Sequence, residues 1–189
     1  MDEKTPETAE IFDEEYKTIV YDLDGTLVYL NVDWNAVASD VLAVYRDEGV
    51  EPPSTELWTL LGRASAYDLR DRVEEAIAAH EREGARTSRR LALADQLSSV
   101  SDSMPVAVCS LNCEAACEIA LETHALREHV DVIVGRDTVD TYKPDPKPLL
   151  TAIDRLGGSP ATTLFVGDSE RDATTADRAS VSFRWVDRS

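Results

Sequence analysis

A doubly wound α/β fold, with a parallel sheet carrying helices on both faces and an all-helical insert after the first strand, is predicted by three features of the 189-residue sequence. Short apolar runs alternate with helical patterns through the C-terminal half, which is the signature of βαβ units. These runs are near-continuously apolar, as strands covered on both faces must be. Between the first run and the second, residues 31–85 keep a helical period, and nothing in them reads as strand.

Taken in order, residues 1–15 are acidic and polar with only Ile11 and Phe12 as apolar anchors, so a loose arm is expected. Ile19, Val20 and Tyr21 are β-branched or aromatic and read as a short buried strand that stops on Asp22-Leu23-Asp24-Gly25-Thr26. Residues 28–32 would fold back as a small hairpin flap. Asp33 is placed to cap a helix carrying Trp34, Val37, Ala38, Val41, Leu42 and Tyr45, ended by Gly49 and forbidden to continue by Pro52-Pro53. Ser54 or Thr55 would cap a shorter helix through Leu57, Trp58 and Leu61, closed by Gly62. Ala66, Leu69, Val73, Ala76, Ile77 and His80 then hold a helical period up to Gly84. A helix with Leu93, Leu97 and Val100 leads to the alternating region: strand 106–109, helix 114–123, strand 130–134, helix 146–156, strand 163–166, helix 171–179 and strand 181–186. Residues 16–30 and 86–189 therefore form the core domain, 31–85 the insert and 1–15 the arm. The chain stops soon after its last strand, so a partner subunit in a homodimer is expected over that edge.

Composition narrows the function. The 37 acidic against 19 basic side chains give a net charge of −18, which argues against nucleic acid or an anionic membrane as partner. Only Lys4, Lys17, Lys143 and Lys147 are lysine. Acidic excess with so few lysines is the halophilic pattern of salt-accumulating cells, the plainer alternative being an acidic mesophilic protein. Cys109, Cys113 and Cys117 show no CxxC spacing and read as buried thiols in a reducing compartment. His80, His124 and His129 are too scattered for a zinc site. No apolar signal region follows the N-terminus and no run approaches the roughly 18 apolar residues of a membrane span, so a cytoplasmic protein is expected.

The chemistry gathers at strand ends. The first strand ends in Asp22, the second in Ser110 and the fourth in Gly167-Asp168, and in open α/β sheets ligands bind at that edge. Asp22 and Asp24, two apart, face one side of an extended segment. Asp172 follows Asp168 by about one helical turn, and Lys143 precedes Pro144. Each residue has a plainer reading. Asp22 and Asp24 would suit an exposed turn, Ser110 a helix N-cap, Lys143 a solvated charge and Asp172 a first-turn helix acid. Thr26 either orients Asp22 or satisfies the turn.

Four segments in order, Asp22-Leu23-Asp24-Gly25-Thr26, Ser110 after an apolar strand, Lys143, and Gly167-Asp168-Ser169-Glu170-Arg171-Asp172, resemble the motifs of the haloacid dehalogenase superfamily of phosphatases. The insert resembles the small helical cap of its phosphoglycolate phosphatase-like branch. The resemblance covers residue 18 to the C-terminus and implies a Rossmann-like core. It also implies an enzyme acting on a small phosphorylated metabolite. Asp22 is expected to attack phosphorus and form an aspartyl-phosphate, and Asp24 to protonate the leaving alcohol and then activate water. Several carboxylates beside a phosphate dianion require a hard divalent cation, and oxygen-only ligands suit Mg²⁺. Its ligands are expected to be Asp22, Asp168 and the main-chain carbonyl of Asp24, with Asp172 ligating directly or from behind them. Lys143, Ser110, Thr26 and the backbone N–H near Leu111 are expected at the phosphate, and Arg63, or with less claim Arg70, at a distal anionic group. The rivals are a sugar phosphomutase of the same superfamily, a phospho-receiver domain, which gathers its acidic pair before the acceptor strand and lacks a cap, and a pseudoenzyme.

Overall fold

The first apolar run becomes β1 (Thr18–Tyr21), the middle strand of a five-stranded sheet. The computed structural model describes residues 16–186, so the arm expected over 1–15 lies outside the described residues. The other strands of this sheet are β4 (Val106–Cys109), β5 (Val132–Val134), β6 (Thr163–Gly167) and β7 (Ser182–Trp185), all parallel, in the order β5-β4-β1-β6-β7. The chain leaves β1 toward β4 and leaves β6 toward β7. The loops above this neighbouring pair therefore diverge, which opens a crevice at the C-terminal edge.

Alternate residues of the buried strands feed two cores. Ile19, Tyr21, Val106, Val108, Leu164 and Val166 pack with α5 (Glu114–Thr123) on one face. Val20, Ala107, Cys109 and Phe165 pack on the other, with Leu149 and Ile153 of α6 (Lys147–Arg155) and Ala176 of α7 (Glu170–Ala179). Strand 130–134 is shorter than expected, because residues 127–129 form a 3₁₀ turn and β5 starts only at Val132, opposite Ala107. The last helix starts at Glu170 because Ser169 caps it.

The flap also differs from its expectation. β2 (Val28–Tyr29) does not close on itself but pairs antiparallel with β3 (Arg89–Arg90), so the two ends of the insert form a stem. Within the insert, Asp33 caps α1 (Trp34–Asp47) by accepting from the N–H groups of Asn35 and Ala36 at 3.0 and 3.2 Å. The cap of α2 (Leu57–Arg63) is neither Ser54 nor Thr55. Glu56 accepts from Thr59 N–H at 2.9 Å, while Ser54 Oγ serves the N–H of Glu56. Gly62 does not close α2, which continues to Arg63 and a 3₁₀ turn over 64–67.

α3 (Arg70–Arg86) runs through Gly84, where a Cβ would crowd the Asn31 carbonyl, so this glycine serves close approach at the stem rather than helix ending. Val37, Val41, Tyr45, Leu60, Leu61 and Ile77 are among the residues of the insert's own core. Ala78 and Ala85, further along α3, join the core of the sheet domain. One helix thus belongs to both apolar clusters. α4 (Leu97–Ser101) brings the chain back to β4. Among the described residues no helix is long and apolar enough to cross a membrane.

Candidate active site

The register Tyr21↔Val166 sends Asp22 and Gly167-Asp168 out of the sheet side by side. Asp22 N–H donates to the Val166 carbonyl at 2.8 Å, which holds the turn at the end of the ladder. Gly25, at φ 86°, lets the turn pass against Asp168, where a Cβ would overlap the carboxylate. The carboxylate oxygens of Asp22, Asp168 and Asp172 come within 4.8 Å of one another. Lys143 reaches into this cluster, buried, and its ammonium donates to Asp22 Oδ1 at 2.8 Å, Asp172 Oδ1 at 2.5 Å and the Cys109 carbonyl at 3.0 Å. All three of its protons are therefore used.

Asp172 is both a helix-capping acid and a member of the site. Its Oδ2 accepts from Ser169 N–H and Oγ at 3.2 and 2.6 Å in a capping box, while Oδ1 takes the Lys143 proton. Burial pushes the Asp22 carboxyl up to about 7, against the pull of Lys143 and with Asp172 adding to it. For Asp24, burial raises the carboxyl to about 6; the Leu30 N–H, donating to Oδ1 at 2.8 Å, opposes this, and Asp168 and Glu81 add to it. Burial disfavours the Lys143 charge, yet the Asp22 and Asp172 carboxylates outweigh it and hold the ammonium protonated above its ordinary range. Burial lifts Cys109 and Cys113 to about 12, so neither thiol is a nucleophile at neutral pH.

A cavity of 170 Å³ opens over the cluster. Asp22, Asp24, Lys143, Asp168 and Asp172 line it, and Ser110 and Leu111 face it from the end of β4. Ser110 is not a helix cap. Its hydroxyl donates to Asn112 Oδ1 at 3.0 Å and accepts from Asn112 N–H at 3.1 Å, while the N-cap of α5 is Cys113. Leu111 N–H donates to no group among the described residues.

Two expected residues are not brought in. Thr26 is fully buried with its hydroxyl unpartnered, and it does not line the cavity. Arg63 is exposed at the end of α2, also away from the lining, because the helix turns that side of the insert outward. Arg70 pairs with Glu74 at 2.7 Å and lines a separate groove between α3 and α5. The cavity's other walls are Trp34 and Trp58 from the insert and Asn112, Ser169 and Arg171 from the core. Arg171 lies inside the fourth motif, but only the phase of α7 shows that it faces the insert.

Nothing in the sequence pattern pointed to the group behind Ser110. Glu81 of α3, fully buried, accepts from Asn112 Nδ2 at 3.3 Å, Cys113 N–H at 3.0 Å and the Arg136 guanidinium at 2.6 Å. Arg136, buried as well, also donates to the Leu111 carbonyl at 2.7 Å and to Glu74 at 2.9 Å. A cap-helix carboxylate thus ties the Ser110-Leu111-Asn112 loop to α3.

The haloacid dehalogenase-like hydrolase family model matches residues 19–186. The chain belongs to the haloacid dehalogenase-like hydrolases. A phosphoglycolate phosphatase of Cereibacter sphaeroides is 30% identical over 189 residues, covering 87% of this chain and 82% of that protein. The pyrophosphatase PpaX of Halalkalibacterium halodurans is 26% identical, with 88% and 81% covered. A Geobacter sulfurreducens hydrolase of subfamily IA in the same superfamily superposes with a TM-score of 0.62 at 23% identity, covering 89% of this chain and 88% of that one. The phosphatase of this superfamily from Thermococcus onnurineus superposes with a TM-score of 0.62 at 21% identity, with 91% and 86% covered. These haloacid dehalogenase-like structures share the α/β architecture of this chain.

Proposed function

We propose that the protein is a Mg²⁺-dependent phosphatase that hydrolyses a small soluble phosphate monoester through an aspartyl-phosphate on Asp22, with phosphoglycolate the first substrate to test. The observation that carries this reading is the meeting of Asp22, Asp168 and Asp172 with Lys143 at the switch point of the sheet. The 30%-identical phosphoglycolate phosphatase supports the choice of substrate.

The donor set fits a hard cation, since Asp22 and Asp168 offer only carboxylate oxygen, within 4.8 Å of each other. Asp22, Asp168 and the Asp24 main-chain carbonyl would hold it. Both oxygens of Asp172 are engaged by Lys143 and Ser169, so its part is to position the lysine. The ion, when bound, supplies positive charge that offsets the approach of a phosphate dianion to these carboxylates.

Asp22 is the nucleophile. Its free oxygen attacks phosphorus, the bond from phosphorus to the ester oxygen breaks, and Asp24 gives its proton to the departing alcohol. Water then attacks the aspartyl-phosphate, Asp24 takes the water proton, and Asp22 is regenerated with release of inorganic phosphate. Asp24 is placed for both transfers because it lines the cavity while Leu30 N–H fixes its carboxylate. Leu111 N–H is the unengaged donor for a phosphoryl oxygen, Lys143 supplies positive charge beside it, and the Ser110 hydroxyl would reach one on giving up its bond to Asn112 Oδ1.

Phosphate release from p-nitrophenyl phosphate and phosphoglycolate, with Mg²⁺ in molar KCl, tests the reading. Conversion of glucose 1-phosphate to an isomer without free phosphate would favour a mutase instead. Full activity in Asp22→Asn would sink the mechanism.

A further inference from the structure

The cavity is lined by three aspartates and by Asp172, against two cations, Lys143 and Arg171. The ammonium of Lys143 is saturated by Asp22, Asp172 and Cys109. Arg171, in the first turn of α7, is half-buried, and its guanidinium lies 5.3 Å from the centre of the Trp58 ring. It donates no hydrogen bond and makes no ion pair among the described residues. Glu56, at the cap of α2, is near enough to feel this charge, but its carboxylate is bonded to the N–H and hydroxyl of Thr59. Trp58 in turn stands between Trp34 and Tyr142, with centroids 6.3 Å from each. A guanidinium held over an aromatic face is drawn to that wall and restrained in position before any ligand arrives.

We infer that Arg171, laid on Trp58, is the second anchor of this cavity and reads a carboxylate on the alcohol portion of the substrate, which makes the substrate class phosphomonoesters of short hydroxy acids. The inference rests on the phosphatase reading and deepens it. A guanidinium fork meets a carboxylate with two parallel N–H···O bonds. The 170 Å³ of space suits a phosphoryl group with a short carbon chain. The specificity cation therefore comes from the core helix behind the metal-site aspartates, and the insert contributes the aromatic surface that holds it.

The test compares phosphoglycolate with 2-hydroxyethyl phosphate, in which a neutral hydroxymethyl group replaces the carboxylate, together with pyrophosphate and p-nitrophenyl phosphate. In the wild type, kcat/KM for phosphoglycolate is expected to exceed that for hydroxyethyl phosphate by about tenfold or more, one charge-assisted contact being worth at least that factor. Arg171→Gln is expected to collapse the ratio through KM for the acid, and Arg171→Lys to recover part of it. The wild-type ratio needs no variant to fold, and each variant's ratio is internal to it. A wild-type ratio within twofold of unity, or one unchanged in Arg171→Gln, overturns the inference while leaving the phosphatase reading intact. Preference for pyrophosphate over phosphoglycolate overturns the carboxylate assignment. Failure to release phosphate from any of the four overturns both readings.

Discussion

Asp22 and Asp24 are two residues apart and lie in one cavity, yet they sit in different surroundings. Asp22 is buried against Lys143, whereas Asp24 is partly buried and bonded to the Leu30 N–H. Their substitution should therefore separate the two half-reactions. Asp22→Asn is expected to abolish phosphate release and leave no phosphoenzyme. Asp24→Asn is expected to slow turnover by about 10²–10⁴-fold, while labelled phosphate still becomes trapped on the protein with an activated ester. Acid-quench of the two variants decides this, and a phosphoenzyme in Asp22→Asn would refute the assignment. Lys143→Met leaves Asp22 and Asp172 as buried like charges and is expected to lower kcat by at least about 10²-fold, to be measured at saturating Mg²⁺. Asp22, Ser110 and Asp168 are legible as candidates in the sequence because each stands at the end of an apolar run, where the chain must leave the sheet. Arg63 lies away from the cavity, and charge alone cannot say which way a cap helix faces.

Helices and strands carry the second level of the site. α3 links the apolar cluster of the insert to that of the sheet, and at their junction Glu81 meets Arg136, Asn112 and Cys113. Removing one partner leaves a buried charge uncompensated, so Glu81→Gln or Arg136→Met is expected to destabilise by about 3–5 kcal/mol. Chemical denaturation in molar salt measures this. Replacing both partners by apolar residues of similar volume is expected to restore much of the loss, because the penalty lies in the unpaired charge. This network was not legible in the sequence, since its members come from distant segments whose local pattern is an ordinary charged helix and an ordinary loop. The same limit explains the flap. Val28 and Tyr29 look like half a hairpin, and their partner, Arg89-Arg90, lies beyond the entire insert.

At the scale of the whole molecule, the net charge of −18 opposes both compaction and the approach of an anionic substrate. Screening shrinks from about 10 Å at 0.1 M salt to about 3 Å at 1 M. The melting temperature is therefore expected to rise, and KM for a phosphate ester to fall, as KCl increases from 0.1 to about 2 M; thermal scans and initial rates report both. Flat curves would remove the halophilic reading. Removal of divalent ions with EDTA is expected to abolish turnover and Mg²⁺ to restore it. Retained activity after exhaustive chelation would refute the metal requirement.

What the sequence by itself determined is the alternation of strands and helices and the polar residues at strand ends, since hydrophobic period and chain exit are local properties. The tertiary structure decided what depends on distance through space. β1 and β6 had to become neighbours for Asp22 to meet Asp168 and Asp172. Lys143 had to fold into that gap, where low exposure makes its contacts count. The register of α7 against the insert, which no local pattern specifies, placed Arg171 on Trp58, and the phase of α2 left Arg63 facing outward.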